Sequence, residues 1–227
     1  MSGQGSQEWL MDRCGSATAS MFSDIIAVSK KDGRPLKARE DYMWKLATDR
    51  VYGSPEEQVS ARSLQWGTDL EPFARQRYEI QTGAVIVPSG FVPHPTILWC
   101  GASPDGLIDL DGGIEIKCPK TRKVHMETWL NGMPEEHIPQ VQGNMWINHR
   151  DWWDFISFDP RAPEDFQIYI QRIYRDDKYI LALESHVVEF LDTVQKLADK
   201  LHATKNERLR RTNSAAGESD NPVMPTA

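Results

Sequence analysis

Cysteine is scarce in this chain. Its 227 residues include only Cys14, Cys100 and Cys118, an odd and scattered set. These supply neither a disulfide framework nor a paired zinc motif. Histidine is equally thin, with six residues and none paired at ligand spacing, which leaves no soft-metal site. No run approaches the roughly 20 apolar residues of a membrane span. The opening MSGQGSQEWL has neither the basic start nor the apolar stretch of a secretion signal. The expected compartment is the reducing cytoplasm, with no membrane partner. Internal repeats are absent, and so is any interior linker long enough to split the chain. Positive charge is in deficit: 26 basic against 33 acidic residues give −7 with neutral histidines. That argues mildly against non-specific nucleic-acid binding, although a net charge does not report where the basic groups sit.

What is present is ordinary for a globular protein. Hydrophobic residues make up 40% and charged residues 26%, which excludes wholesale disorder. The length suits one domain, large enough to need no disulfide or zinc staple. That domain is expected over residues 1–202. From residue 203 aromatic residues stop and large aliphatics become few. A disordered tail is expected over 203–227, its cluster Lys205, Arg208, Arg210 and Arg211 reading as a solvated helix end rather than a phosphate contact.

Periodicity places helices first, at 18–28, 40–52 and 56–82, the last with a break or kink expected near 67–71 at Gly67 and Pro72. Short β-rich runs follow at 84–87, 96–100, 107–110 and 114–117, the last two flanking the turn signal Asp111-Gly112-Gly113. Helices at 123–130 and 135–148, strands at 152–158 and 166–174, and an amphipathic helix at 178–201 complete the pattern. The order predicts an α/β (α+β) fold, a central mixed β-sheet flanked by helices. Trp146, Trp152 and Trp153 are expected to pack in the core rather than form a base-stacking platform. Trp146 lies in a periodic helix, and an adjacent pair in a strand sends one indole to each face.

The chemistry concentrates in Ser103-Pro104-Asp105-Gly106-Leu107 and Ile114-Glu115-Ile116-Lys117-Cys118-Pro119. Glu115 and Lys117 are two apart on a strand, so both side chains leave the same face. A hairpin returns Asp105 alongside Glu115. Two carboxylates with open positions suit Mg²⁺, or Mn²⁺, and the carbonyl of Ile116 between them is a third oxygen donor. Lys117 would sit beside a cation-bound water, or stabilise charge on a phosphate. A lone Asp, Glu and Lys in proximity are ordinarily a surface ion pair. Here the Pro-Asp-Gly turn directly before a strand, the alternation with isoleucines and the tight connection set them apart.

The string P-D-x(9)-E-I-K is the signature of the PD-(D/E)XK nuclease fold. Four blocks in order carry a closer likeness: Trp9 through Arg13 with Gly15 and Thr18-Ala19-Ser20; Leu64-Gln65-Trp66-Gly67 with Glu71; the Asp105 and Glu115 segments; and Gln140-Val141-Gln142 with Met145-Trp146. On these the chain resembles lambda exonuclease and the YqaJ-type viral recombinase nucleases, from about Trp9 to Leu201. The resemblance implies that Asp105, Glu115 and the Ile116 carbonyl hold the catalytic metal, with Asp105 shared by a second ion. It implies that Lys117 acts on the nucleophilic water and that Glu71 reaches the site through water. Arg13, Ser20, Ser103 and Gln140 match the family's pocket for a terminal 5′-phosphate, Ser20 in a helix's first turn, where an anion is favoured.

By the same resemblance the activity is a metal-dependent 5′→3′ exonuclease that digests one strand of linear double-stranded DNA to 5′-mononucleotides. It would work as a homotrimer ring on DNA ends, alongside a single-strand annealing protein, in a bacterial host's cytoplasm and of phage or prophage origin. A RecB-like nuclease of different polarity is the first rival, though its iron–sulfur form needs four cysteines. A non-catalytic DNA-end-binding protein is the second, but Asp105, Glu115 and Lys117 are all intact. A restriction endonuclease is the weakest, since no separate sequence-reading module is evident.

Overall fold

The structure, a computed structural model, describes residues 4–29, 31–56 and 62–218. Helix α1 (Gln7–Asp12) is capped by Ser6, whose hydroxyl accepts from Trp9 N at 3.1 Å. Strand β1 (Ala17–Thr18) follows, then a 3₁₀ turn (Ala19–Met21), α2 (Phe22–Ile26) and α3 (Lys37–Tyr52), which ends on left-handed Gly53. Helix α4 (Arg62–Thr82) precedes β2 (Ile86–Val87), β3 (Val92–Pro93), β4 (Cys100–Ala102), β5 (Gly106–Ile108) and β6 (Gly112–Lys117). Helices α5 (Arg122–Asn131) and α6 (Ile138–Asn148) lead to β7 (Trp152–Phe158), β8 (Ile168–Tyr174) and α7 (Asp177–Glu218).

The strands form a five-stranded sheet, ordered β2-β5-β6-β7-β8, and a small three-stranded one, β1-β4-β3. In the larger sheet only β6 and β7 run parallel, and their connection carries α5 and α6, as a parallel pair requires. The mixed sheet flanked by helices is the one expected from the pattern. On one face, Ile114, Ile116 and Ile156 pack with Ala74 and Tyr78 of α4. On the other, Trp153 packs with Val141 and Met145 of α6. A third cluster joins α2, α3 and α7 through Phe22, Leu46 and Phe190. Trp146 and Trp153 are buried, and Arg172 covers the Trp152 ring at 3.6 Å, so the trio packs as the pattern requires.

Four local expectations are corrected. Helix α4 is continuous through Gly67 and Pro72, so the expected break is absent; of its expected first turns, 57–61 lie outside the described residues. Only Cys100 of the expected 96–100 strand is extended. His94 Nδ1 instead accepts from Thr96 N (3.2 Å) and Ile97 N (3.0 Å), folding that stretch into a turn before Trp99, whose φ is 62°. The hairpin turn is at 109–111, with Asp109 left-handed, and Gly112 and Gly113 lie inside β6. They are glycine because a Cβ at either would overlap the ring of Trp152 or Trp153. Lastly, the part of the tail expected from residue 203 that is described, as far as Glu218, is helical. Its Ala, Lys, Glu and Arg residues are strong helix formers, and no proline intervenes. The rest, 219–227, lies outside the described residues.

Gly113 thereby sets how closely β6 and β7 approach beneath Glu115. Gly113→Ala should destabilise the fold by about 1–3 kcal/mol through overpacking, seen as a lower urea midpoint with unchanged slope. A midpoint equal to wild type would show that Trp153 has room to move.

Candidate active site

Strand β6 divides its side chains between two environments. Ile114 and Ile116 enter the core, whereas Glu115 and Lys117 leave the opposite face together. Lys117 Nζ donates to Glu115 Oε1 at 2.7 Å and to Gln140 Oε1 at 3.0 Å. Gln140 Nε2 donates to the same Glu115 oxygen at 2.6 Å, and Asn144 Nδ2 to Oε2 at 3.2 Å. Glu115 is only 2% exposed, so its charge is tolerated because three donors meet it.

Asp105 stands one residue before β5, and its Oδ2 accepts from Ile116 N at 2.7 Å. That bond ties the loop to the strand carrying Glu115 and Lys117. Arg75 Nη2, from α4, donates to the Asp105 carbonyl and to Glu71 Oε1, both at 2.7 Å. Four sequence-predicted residues, Glu71, Asp105, Glu115 and Lys117, therefore converge from one helix and one hairpin. A cavity of about 510 Å³ opens beside Asp105, Glu71 and Arg75, with Trp9 on its wall.

The electrostatics follow from this crowding. Burial first, then Glu115 and Glu71, raise the Asp105 carboxyl well above its ordinary range. Burial also raises Glu71; Arg75 opposes it and Glu115 reinforces it. For Lys117 burial acts downward, but Glu115, Asp105 and the hydrogen bond to Glu115 together outweigh it and raise the ammonium's pKa. Burial, then the Lys117 charge, lower His137 to about 4, so it stands neutral beside that lysine at physiological pH.

The donor set suits a hard divalent cation. Two carboxylates and the Ile116 carbonyl offer oxygen only, and Lys117 and Arg75 do not fully offset the charge of Glu71, Asp105 and Glu115. Glu71, Asp105 and Glu115 approach one another, yet among the described residues no three His, Cys, Asp or Glu side chains are arranged to enclose a metal ion by themselves. The arrangement resembles Mg²⁺ binding, where few protein carboxylates leave positions to water and substrate phosphate.

The predicted phosphate-binding residues separate into two places. Arg13 Nη2 donates to Thr18 Oγ1 at 3.1 Å, and that hydroxyl lies 3.2 Å from Ser20 Oγ. The Arg13 guanidinium also covers the Trp9 ring at 4.2 Å, and Trp9 Nε1 donates to Ser103 Oγ at 3.1 Å. Arg13, Ser20 and Ser103 thus form one cluster, with burial lowering the pKa of Arg13. Gln140 instead bonds to Glu115 and Lys117. The helix start expected at Ser20 is a 3₁₀ turn before the five-residue α2, so an anion there would rely on side chains more than on a helix dipole.

Sequence reasoning gave no role to Asn144 or Arg75, and Thr18 entered only as a helix cap and a member of a matching block. Gln140 and Asn144 one turn apart on α6 were the signal for the first, and Glu71 and Arg75 at i, i+4 for the second.

A Pro-Asp turn before one strand, and Glu-x-Lys on the next, set on a mixed sheet between helices, define a PD-(D/E)XK nuclease of the lambda-exonuclease type. Residues 8–151 match the YqaJ-like viral recombinase domain, and the chain belongs to that family. It is similar to the alkaline exonuclease LHK-Exo from Laribacter hongkongensis, alone and in complex with dAMP. Both structures are 39% identical to it, covering 89% of this chain and 99% of theirs, with TM-scores of 0.81 and 0.82. A phage-related exonuclease from Haemophilus somnus 129PT shares the fold at 18% identity and a TM-score of 0.59, over 84% of this chain and 96% of its own. The Escherichia coli (strain K12) protein ExoD is 28% identical over 74 residues, 33% of this chain and 84% of that protein.

With no cation bound, ionised Asp105 repels its neighbours. Its raised pKa means that stability is lost as pH rises through the folded-state value. Asp105→Asn keeps an acceptor for Ile116 N without the charge. At about pH 8 in chelator it should melt roughly 2–4 °C above wild type, about 1 kcal/mol, while added Mg²⁺ should raise the wild-type Tm alone. A variant melting below wild type would show that the carboxylate stabilises the empty site.

Proposed function

We propose that this nuclease is a divalent-cation-dependent exonuclease that consumes one strand of linear double-stranded DNA from its 5′ end. It releases 5′-mononucleotides and leaves 3′ overhangs for recombination by single-strand annealing. One observation carries the proposal: Glu115 and Lys117 on the central strand β6 meet Asp105, which lines an open cavity.

Asp105, Glu115 and the Ile116 carbonyl would hold Mg²⁺, with Mn²⁺ acceptable, and the ion would neutralise phosphate charge and acidify a bound water. Lys117, kept protonated by Glu115 and Asp105, presents a cation to the same phosphate and orients the attacking water. Glu71, steadied by Arg75, would act through a water ligand. Arg13, Ser20 and Ser103 would take the terminal 5′-phosphate, which restricts attack to ends. The dAMP complex of LHK-Exo supports a mononucleotide product. The family resemblance supports a homotrimer ring around the duplex and a single-strand annealing protein as partner. Repulsion from an acidic exterior would help keep DNA inside such a ring. A bacterial host's cytoplasm, with phage or prophage origin, completes the proposal. Among the described residues no helix is long and apolar enough to cross a membrane.

A linear duplex labelled at one 5′ end tests the polarity. With Mg²⁺ the label should leave at once as a mononucleotide. Release from a 3′-end label first, or of internal fragments, would overturn the assignment. Lys117→Ala should lower the cleavage rate by roughly 10²–10⁴-fold while DNA-end binding survives. Cleavage at the normal rate by that variant would remove Lys117 from the chemistry.

A second measurement isolates end recognition. Duplexes with 5′-phosphate should be digested faster than those with 5′-hydroxyl, and Arg13→Ala should erase the difference. Equal wild-type rates on both ends would free Arg13, Ser20 and Ser103 from the assigned role.

A further inference from the structure

Gln140 and Asn144 stand one turn apart on α6, and both reach Glu115. Their contacts differ. Gln140 and Lys117 share Oε1, so on their own they hold the carboxylate at one oxygen. Asn144 Nδ2 alone engages Oε2. Two anchored oxygens fix the plane of a carboxylate; one leaves it free to pivot.

Asn144 is an unusual choice for packing. It is 1% exposed, between buried Gly143 and Met145, and its Oδ1 is buried with no hydrogen-bond partner. A buried acceptor without a donor weakens a fold, and an apolar side chain of similar size would avoid that loss. Turning the amide over gives no relief. Ionised Glu115 only accepts, so the reversed amide would set Oδ1 against Oε2. The residue therefore sacrifices one polar atom to place the other on Glu115.

We propose that Asn144 is a positioning residue: through Nδ2 it fixes the plane of the Glu115 carboxylate for a divalent cation. The inference rests on the cation assignment made above. Mg²⁺ demands near-ideal ligand geometry, so a pivoting carboxylate binds it poorly. Outer partners of metal ligands characteristically set affinity by 10–100-fold. Gln140 cannot substitute for Asn144, because it engages the other oxygen.

Calorimetric titration with Mn²⁺, without DNA, tests this on wild type, Asn144→Ala, Asn144→Ser and Glu115→Ala. Asn144→Ala should bind about 10–100-fold more weakly, and its cleavage of duplex should return as Mg²⁺ is raised. Asn144→Ser keeps a donor and should bind more tightly than the alanine variant. If alanine abolishes cooperative melting, Asn144→Leu, which fills the volume without a donor, takes its place. Wild-type affinity in a folded Ala or Leu variant would overturn the proposal, and so would a serine variant no tighter than alanine. If wild type and Glu115→Ala bind Mn²⁺ alike, the cation assignment itself falls, and this inference with it.

Discussion

A carboxylate buried to 2% exposure on the central strand of the larger sheet is the constraint on which this structure turns. Glu115 cannot remain ionised there without donors, because an unpaired buried charge is far more destabilising than any single contact is stabilising. Lys117, Gln140 and Asn144 supply them from two elements. The pairing of β6 with α6 is thus a matter of charge as much as of apolar area. The site is part of the core rather than an ornament on its surface.

The alternation of β6 is what lets one strand serve both. Ile114 and Ile116 bind the sheet to α4, while Glu115 and Lys117 face α6. Two glycines at its start let β6 and β7 come together against the paired indoles of Trp152 and Trp153. Register is constrained accordingly, since a one-residue slip would turn Glu115 and Lys117 toward the apolar side of α4 and set isoleucine against Gln140 and Asn144. Asp105 is fixed to the same register because its carboxylate takes the N–H of Ile116.

The central fold and the acid–amine cluster were legible because they rest on local rules. Period-two alternation placed Glu115 and Lys117 on one face, and a short hairpin returned Asp105. The same rules misplaced the turn, since glycine signals flexibility in sequence while Gly112 and Gly113 serve close approach to rings contributed 40 residues later. The 96–100 segment failed for a related reason: its β-formers are folded back by the side chain of His94, a contact no propensity encodes. Asn144 was missed because its role depends on which face of α6 meets Glu115, a tertiary fact. Resemblance assigned Gln140 to a neighbourhood, whereas its hydrogen bonds to Glu115 and Lys117 depend on tertiary packing that sequence does not encode.

The loop Ser103-Pro104-Asp105 connects the two polar clusters and gives them a common ruler. Ser103 accepts from Trp9, whose ring lies under Arg13, while Asp105 is bound to the strand of Glu115. Two residues of chain span at most about 7 Å, a separation on the scale of a single nucleotide. Gln4, bonded to the Pro104 carbonyl at 2.8 Å, and Arg75, bonded to the Asp105 carbonyl, hold that span from both sides. Under the proposed activity a terminal phosphate seated at Arg13 would leave the next phosphodiester at the acids.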